Sequence, residues 1–311
     1  MRGLTLDPEE FEAEKAVVLE ELSMGRDDPW QNLFQQLSEM LFPRHPYRRP
    51  IIGYADVLRA MTPEDMRSYH RRFYHPANAT VVVAGAVSPK AALAKIRKHM
   101  GKLVAGPSLD EVDPARPAIE ALRGERRLLT RWDDGSSRLG MSWRGAVVGS
   151  DEDFVLDVIT ALLTMGRLSR LHRRLVLEEG LAVNVGSSNE ARVDGGSFSI
   201  YAEAVQGVKP AALEAAIDEE LELLAAKAPS AAELKRAKSM LSASEAYEGE
   251  TVTDLAEHLG SYAVDADWRL TLDIASRRSA VKGSDVRRVA RELLTRDQRV
   301  LGWSLPREAR S

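Results

Sequence analysis

No cysteine occurs among the 311 residues. That absence excludes disulfides, thiolate nucleophiles and cysteine-bound zinc together. Aromatic residues make up only 6%, and no apolar run approaches the roughly 20 residues needed to cross a bilayer. There is no visible signal peptide and no excess of one charge. The formal net charge is -4, so neither a nucleic-acid partner nor a membrane span is expected. A soluble protein is expected, with its compartment open: a true start at Met1 argues for the cytoplasm, whereas a start further upstream leaves cytoplasm and periplasm equal. What is present is ordinary for a globular chain, 44% hydrophobic and 29% charged, long enough for about two domains.

Local signals divide the chain into two blocks. Asp7-Pro8-Glu9-Glu10 reads as an N-cap, a first-turn proline and a capping-box acid, opening a helix to about Met24. A second helix, about Pro29 to Phe42, carries Trp30, Leu33, Leu37, Met40 and Leu41 at helical spacing. Thr62-Pro63-Glu64-Asp65 opens another, with Tyr69 and Phe73 directed to a core, and Pro76 ends it. Thr80 to Ala84 reads as a buried strand and Pro89 to Met100 as a helix. Residues 106–124, with Gly106, Pro107, Pro114 and Pro117, read as a linker between a first domain over 1–105 and a second over 125–311. In the second block Arg138 to Trp143, Val183 to Gly186 and Gly196 to Glu203 are strand-like. Asp151 to Met165, Ser169 to Glu179, Pro210 to Ala226, Ser230 to about Glu250 and two later segments are helical. Strands and helices mix without strict alternation, which gives an α+β class.

The blocks are related to one another. At an offset of 220, Asp65-Met66-Arg67 meets Asp285-Val286-Arg287, and Thr80 and Val81 meet Val300 and Leu301. At an offset of 223, Asp7, Glu10 and Phe11 meet Ser230, Glu233 and Leu234. Two copies of one helix–strand unit are therefore expected, the first lacking its beginning.

The first helix holds the candidate chemistry. Glu14 and Glu21 are two turns apart and lie within about 20° of each other on the helix wheel. Phe11, Val17, Val18 and Leu22 surround them, so two carboxylates fall inside an apolar arc, where a charge needs a partner. Arginines are one such partner and a bound cation another. The second copy places Ala237 and Ser244 at the same positions, so the fold unit itself does not require the acids.

Glu14-Lys-Ala-Val-Val-Leu-Glu-Glu21, followed by Arg26-Asp27-Asp28-Pro29, resembles the second zinc-binding segment of the pitrilysin/insulinase family of zinc metallopeptidases. His45-Pro46-Tyr47, Pro50-Ile51-Ile52-Gly53, Thr62-Pro63-Glu64-Asp65 and Tyr74-His75-Pro76-Ala77-Asn78 match in order. Glu178-Glu179-Gly180-Leu181-Ala182 and Ala232-Glu233-Leu234-Lys235-Arg236-Ala237-Lys238 fit the family's later domain. The resemblance spans nearly the whole chain. It implies two homologous domains with mixed helices and mainly antiparallel sheet. It also implies one zinc ion, with Glu21 as its third protein ligand and Glu14 as a supporting acid. The family's inverted His-x-x-Glu-His motif, which carries two histidine ligands and the water-activating glutamate, lies several tens of residues before that ligand. Only 20 residues precede Glu21 here and none is histidine.

The six histidines do not supply a substitute: His70 and His75 sit five apart around a helix end, and His45, His99, His172 and His258 are scattered. A second departure falls in the later half. Where active members carry an arginine and a tyrosine that assist substrate binding, this sequence has Val176 and Val183. Relatives can divide these parts between two homologous chains. The expectation is therefore a zinc-type subunit of a peptidase acting on peptides or unfolded polypeptides. It would be inactive alone, bind zinc poorly alone, and need a homologous partner that carries the arginine–tyrosine pair. The alternative is a non-catalytic subunit that binds peptides or serves a larger assembly.

Overall fold

The computed structural model describes residues 4–113 and 115–307; Pro114 of the expected linker lies outside them. Helices α1 (Pro8–Arg26), α2 (Pro29–Leu41), α3 (Ala55–Ala60), α4 (Pro63–Phe73), α5 (Pro89–Met100) and α6 (Leu109–Val112) precede strands β1 (Arg126–Trp132) and β2 (Ser137–Arg144). Helix α7 (Asp151–Thr164) leads through a π-helical segment, His172–Glu178, to the hairpin of β3 (Ala182–Glu190) and β4 (Ser197–Ala204). Helices α8 (Pro210–Ala226), α9 (Ala231–Glu248), α10 (Val252–Asp265), α11 (Ile274–Ala280) and α12 (Gly283–Leu293) lead to β5 (Arg299–Pro306). The α+β class is borne out.

The chain forms two compact units, each from discontinuous segments. The first takes Met1–Asp27, Pro50–Pro117 and Glu248–Trp268; the second takes Asp28–Arg49, Ala118–Tyr247 and Arg269–Ser311. Helix α2 thus belongs to the second unit and α10 to the first.

The second unit is built on a five-stranded sheet in the order β1-β5-β2-β4-β3. Only β1 and β5 run parallel; the other neighbours are antiparallel. Strand alternation sorts the side chains onto two faces. Leu139, Met141, Trp143, Phe198, Ile200, Leu301 and Trp303 form one buried face. On the other, Gly140 and Gly302 leave room for α2 to lie close. A β-carbon on Gly302 would stand 2.8 Å from the Leu33 Cδ1 and 3.1 Å from the Leu37 Cδ2. Leu33, Leu37, Leu41 and Phe42 are buried there with Leu122 and Val300. Arg144 and Arg126 donate to the last carbonyls of α2, at Leu41 and Met40, both at 3.0 Å. Leu122, within the expected linker, is thus a core residue of this unit.

On the face of the sheet opposite α2, the fully buried Arg299 is held by carboxylates. It donates to Glu125 at 2.5 Å and also to Asp218 and Glu214, while Arg127 and Arg296 serve the same acids. Burial alone lowers the Arg299 pKa, but Asp218 and Glu125 outweigh it and raise the value. Strand β1, for which the sequence offers no reading, is the edge partner that brings Glu125 to this cluster.

The first unit is helical. Asp7 caps α1 by accepting from the Glu9 and Glu10 amides at 2.9 and 3.2 Å. Thr62 and Asp65 form a reciprocal capping box at α4. Helix α1 packs on α3, and the Lys15 ammonium donates to the Met61 carbonyl at 3.3 Å. Among the described residues of this unit, only Leu22 and Ala55 are buried apolar side chains. Tyr69, expected in a core, is exposed and packs at a tilt of 41° against Phe73, with ring centroids 4.6 Å apart.

One expectation fails here. Thr80 to Ala84 forms no strand, because no described segment pairs with either of its edges. Val82 faces α10, 3.9 Å from where a β-carbon on Gly260 would stand, and Val81 and Val83 face solvent.

Candidate functional site

Helix α1 packs one of its faces on the unit through α3. Phe11, Lys15, Leu19 and Leu22 lie toward the unit, with the Lys15 ammonium 5.2 Å over the Phe11 ring. Glu14, Val17, Glu21 and Met24 follow one another along the opposite side, within about 80° of arc, and all four are exposed. The sequence placed the two acids inside a buried arc. The structure corrects this: the packed side is centred nearer Lys15 and Leu22, because α3 meets the helix there. The acids therefore share an open stripe with two unpartnered apolar side chains, and hydration meets their charge.

A lone stripe of two carboxylates is not a zinc site. A catalytic zinc needs about three protein ligands with histidine or carboxylate donors converging on one point. Among the described residues no three histidine, aspartate or glutamate side chains converge in this way. The residues of this chain fit zinc only as a part of a site, with Glu21 able to give one ligand and Glu14 able to lie behind it. Two of the six histidines make contacts of their own. His45 is buried, its Nδ1 accepts from the Tyr47 amide at 3.3 Å, and its Nε2 faces the Asp194 carboxylate at 3.3 Å. His75 packs against Gly106, whose positive φ of 73° carries the chain past the ring.

The positions of the absent arginine and tyrosine lie in the second unit. Val176 is half-buried within the π-helical segment, where the Glu179 amide reaches back five residues to the Arg174 carbonyl at 2.8 Å. Val183 is exposed and sits in a β-bulge: Ala182 pairs with Ala204 and Asn184 with Glu203, leaving Val183 without a ladder partner on β4. Strand β3 is the edge of the sheet. π-Helical turns and bulges recur where a fold aims a side chain for function. Both special backbone features are here, and both carry valine. Neither is visible in the residues, since a helical repeat of 3.6 does not distinguish a π turn and a bulge adds no residue type of its own.

Comparison with known proteins places this arrangement in a family. The description "Peptidase M16 inactive domain" matches residues 60–241. This chain belongs to the peptidase M16 family, which bears out the resemblance read from its motifs. It is similar to an uncharacterized zinc protease of Mycobacterium bovis, 32% identical over 195 residues, covering 62% of this chain and 44% of that protein. It is also similar to the zinc protease PqqE of Helicobacter pylori, 28% identical over 296 residues, covering 94% of this chain and 66% of that protein. The chain thus spans less than half of the first relative and about two thirds of the second. A protease from Helicobacter pylori superposes with a TM-score of 0.86 at 25% identity, over 97% of this chain and 73% of that one. A peptidase M16 inactive domain from Pseudomonas fluorescens shares the fold, with a TM-score of 0.86 at 18% identity over 99% of this chain and 72% of that one. Relatives of this chain are named zinc proteases. No helix among the described residues is long and apolar enough to cross a membrane.

Proposed function

We propose that this chain is a zinc-type subunit of an M16 endopeptidase, incomplete on its own, that presents Glu21 as one metal ligand with Glu14 in support. The observation that carries the reading is the open stripe of α1, where both acids stand exposed beside Val17 and Met24 in a family whose members are named zinc proteases. The remaining ligands lie outside residues 1–311, and the substrate is a peptide or unfolded polypeptide. A homologous subunit supplies the arginine and tyrosine that Val176 and Val183 replace.

Metal analysis and a peptide-cleavage assay test this. The purified chain should hold far less than one zinc and cleave nothing. Joined to a chain that bears a His-x-x-Glu-His segment, it should gain zinc, and Glu21→Gln should remove it, while Glu14→Gln should weaken it about 10- to 100-fold. Zinc-dependent cleavage by the chain alone would overturn the proposal. A second reading, a non-catalytic peptide-binding subunit, is favoured by the two valines on the π-helical turn and the bulge. It predicts that peptide binding survives Glu21→Gln and that zinc never enters.

A further inference from the structure

The repeat copies correspond in structure. Helices α4 and α12 have the same length at an offset of 220, and the Thr62 and Lys282 amides donate to Asp65 and Asp285, each at 2.8 Å. Helix α9 is the counterpart of α1 at an offset of 223. Lys15 and Lys238 are equivalent there, and each donates to a carbonyl at the end of a short helix, Met61 just after α3 and Ser279 in α11. The neighbours of the two ammonium groups differ. On α1, Glu12 pairs with Lys15 at 2.8 Å. On α9 the residue equivalent to Glu12 is Lys235, so an acid partner becomes a second cation. Like charges three residues apart on a helix repel. Two more equivalents change, Ala16 to Ser239 and Leu19 to Ser242. Serine is a poorer helix former than alanine or leucine, so helix stability accounts for none of these exchanges.

The exchanged residues share one groove of the second unit. Lys235, Lys238, Ser239 and Ser242 line it from α9, and Arg278 and Ser279 line it from α11, around a volume of about 640 Å³. Leu234 adds apolar surface toward the start of α9, and no residue that lines the groove is acidic. Arg278 is paired with Asp157 at 2.8 Å and Glu245 at 3.6 Å, neither of which lines the groove. Among the described residues no carboxylate pairs with Lys235 or Lys238, and the exposed Ser239 and Ser242 hydroxyls make no hydrogen bond. The groove follows α9 from Ala231 to Ser242, about 16 Å of helix axis. An extended chain covers that length in about five residues, whereas a compact anion fills only a part of it.

We propose that the groove between α9 and α11 binds an extended peptide segment that carries carboxylates. Lys235 and Lys238 receive the acids, the Ser239 and Ser242 hydroxyls serve other polar groups of the segment, and Leu234 meets an apolar side chain. Charge complementarity selects an acidic ligand, and the length of the groove selects a peptide over a compact anion. Lysine suits this task, since its ammonium is a point charge on a flexible stem and needs no fixed carboxylate geometry. The whole chain carries a net charge of -4, so its overall field repels an acidic peptide and the attraction comes from this local group. The inference rests on the peptide-binding part of the proposed function and uses neither Glu14, Glu21 nor a metal.

The test is fluorescence anisotropy on the full chain at low ionic strength. The probe is a labelled, end-capped peptide of about ten residues that alternates glutamate with glycine, long enough to fill the groove. Binding should be saturable, weaken about 10-fold or more when every glutamate of the probe is replaced by glutamine, and fade as salt rises toward about 0.2 M. Lys235→Glu should lower the affinity about 10-fold and leave the unfolding midpoint at or above that of the wild type, because it restores the acid–lysine spacing of Glu12 and Lys15. Ser242→Lys adds a cation to the groove and should raise the affinity about 3-fold. Equal binding of the glutamate and glutamine peptides would overturn the proposal. So would wild-type affinity in folded Lys235→Glu, or no binding at low salt. Inorganic phosphate that displaces the probe at an equal concentration of charge would make a compact anion the occupant and overturn it as well. Glu21→Gln should leave the affinity unchanged whatever it does to zinc, so that failure of the metal reading leaves this one standing; a loss like that of Lys235→Glu would place the peptide elsewhere and overturn the assignment to this groove.

Discussion

The first unit and the second carry one pattern of helices, caps and turns, yet among the described residues the second has by far the larger buried core. Its sheet buries Leu139, Met141, Trp143, Phe198, Leu301 and Trp303, while the described residues of the first unit bury Leu22 and Ala55. The difference is not one of strand-forming composition, since Thr80-Val81-Val82-Val83-Ala84 is more β-branched than Val300-Leu301-Gly302-Trp303-Ser304. It is one of partners. Helices satisfy their own backbone and form from local signals, whereas a strand exists only where another chain segment accepts its hydrogen bonds.

The largest expected effect breaks the comparison at its buried charge. Arg299 is enclosed with Asp218, Glu125 and Glu214, and its counterpart at the 220 offset is Ala79. Arg299→Ala should destabilise the second unit by about 3–5 kcal/mol, because it strands buried carboxylates. Urea unfolding followed by tryptophan fluorescence, from Trp143 and Trp303 in that core, would measure it. A loss below about 1 kcal/mol would mean the cluster is hydrated.

Next comes the seat of α2. Gly302→Ala puts a methyl group against Leu33 and Leu37 and should cost about 1–3 kcal/mol. Adding Leu33→Ala should recover part of that loss if steric overlap is the cause. The counterpart Val82→Ala should cost less than Gly302→Ala, since Val82 lies in no closed core.

A third effect depends on pH. Burial raises the Glu233 carboxyl, but the Ser230 hydroxyl and amide and the Arg170 guanidinium prevail and hold it at about 2. A depressed carboxylate contributes stability above its unfolded value, and that contribution disappears as pH falls from about 4 toward 2. Glu233→Gln should therefore cost about 1 kcal/mol near neutrality and progressively less over that window, read from unfolding midpoints at each pH. Asp153 works in the opposite sense: burial, with the Asp157 charge adding to it, raises its pKa, so its protonation on acidification favours the folded state. The counterpart Glu10→Gln on exposed α1 should change stability by less than about 0.5 kcal/mol.

The smallest effects are expected at the candidate site itself. Glu14→Gln, Glu21→Gln and Val183→Tyr all change exposed side chains and should leave the unfolding midpoint within about 0.5 kcal/mol of the wild type. Larger losses at Glu14 or Glu21 would show that the acids hold the fold together and would weaken their assignment to metal.

Much of this was legible in the residues. Asp7-Pro8, Thr62-Pro63 and Ser230 with Glu233 announced helix starts because capping is local chemistry. The repeat was legible because equivalent positions keep similar residues. Strand β1 was missed: Arg126-Arg127-Leu128-Leu129-Thr130-Arg131-Trp132 is an edge strand, rich in arginine, whose place is set by parallel pairing to a segment 174 residues away. The π-helical turn around Val176 and the bulge at Val183 were missed because each is defined by hydrogen bonds that a residue pattern does not encode.

The sequence by itself determined the family, the α+β class, the starts of the capped helices and the identity of the candidate acids, since these follow from residue type, spacing and local caps. Tertiary structure alone decided that α2 serves the second unit and α10 the first. It also decided that Glu14 and Glu21 stand in the open, and that one of two like segments is a strand while the other is not. Those outcomes depend on which surfaces meet, and hydrophobic burial and ladder pairing are properties of two segments together.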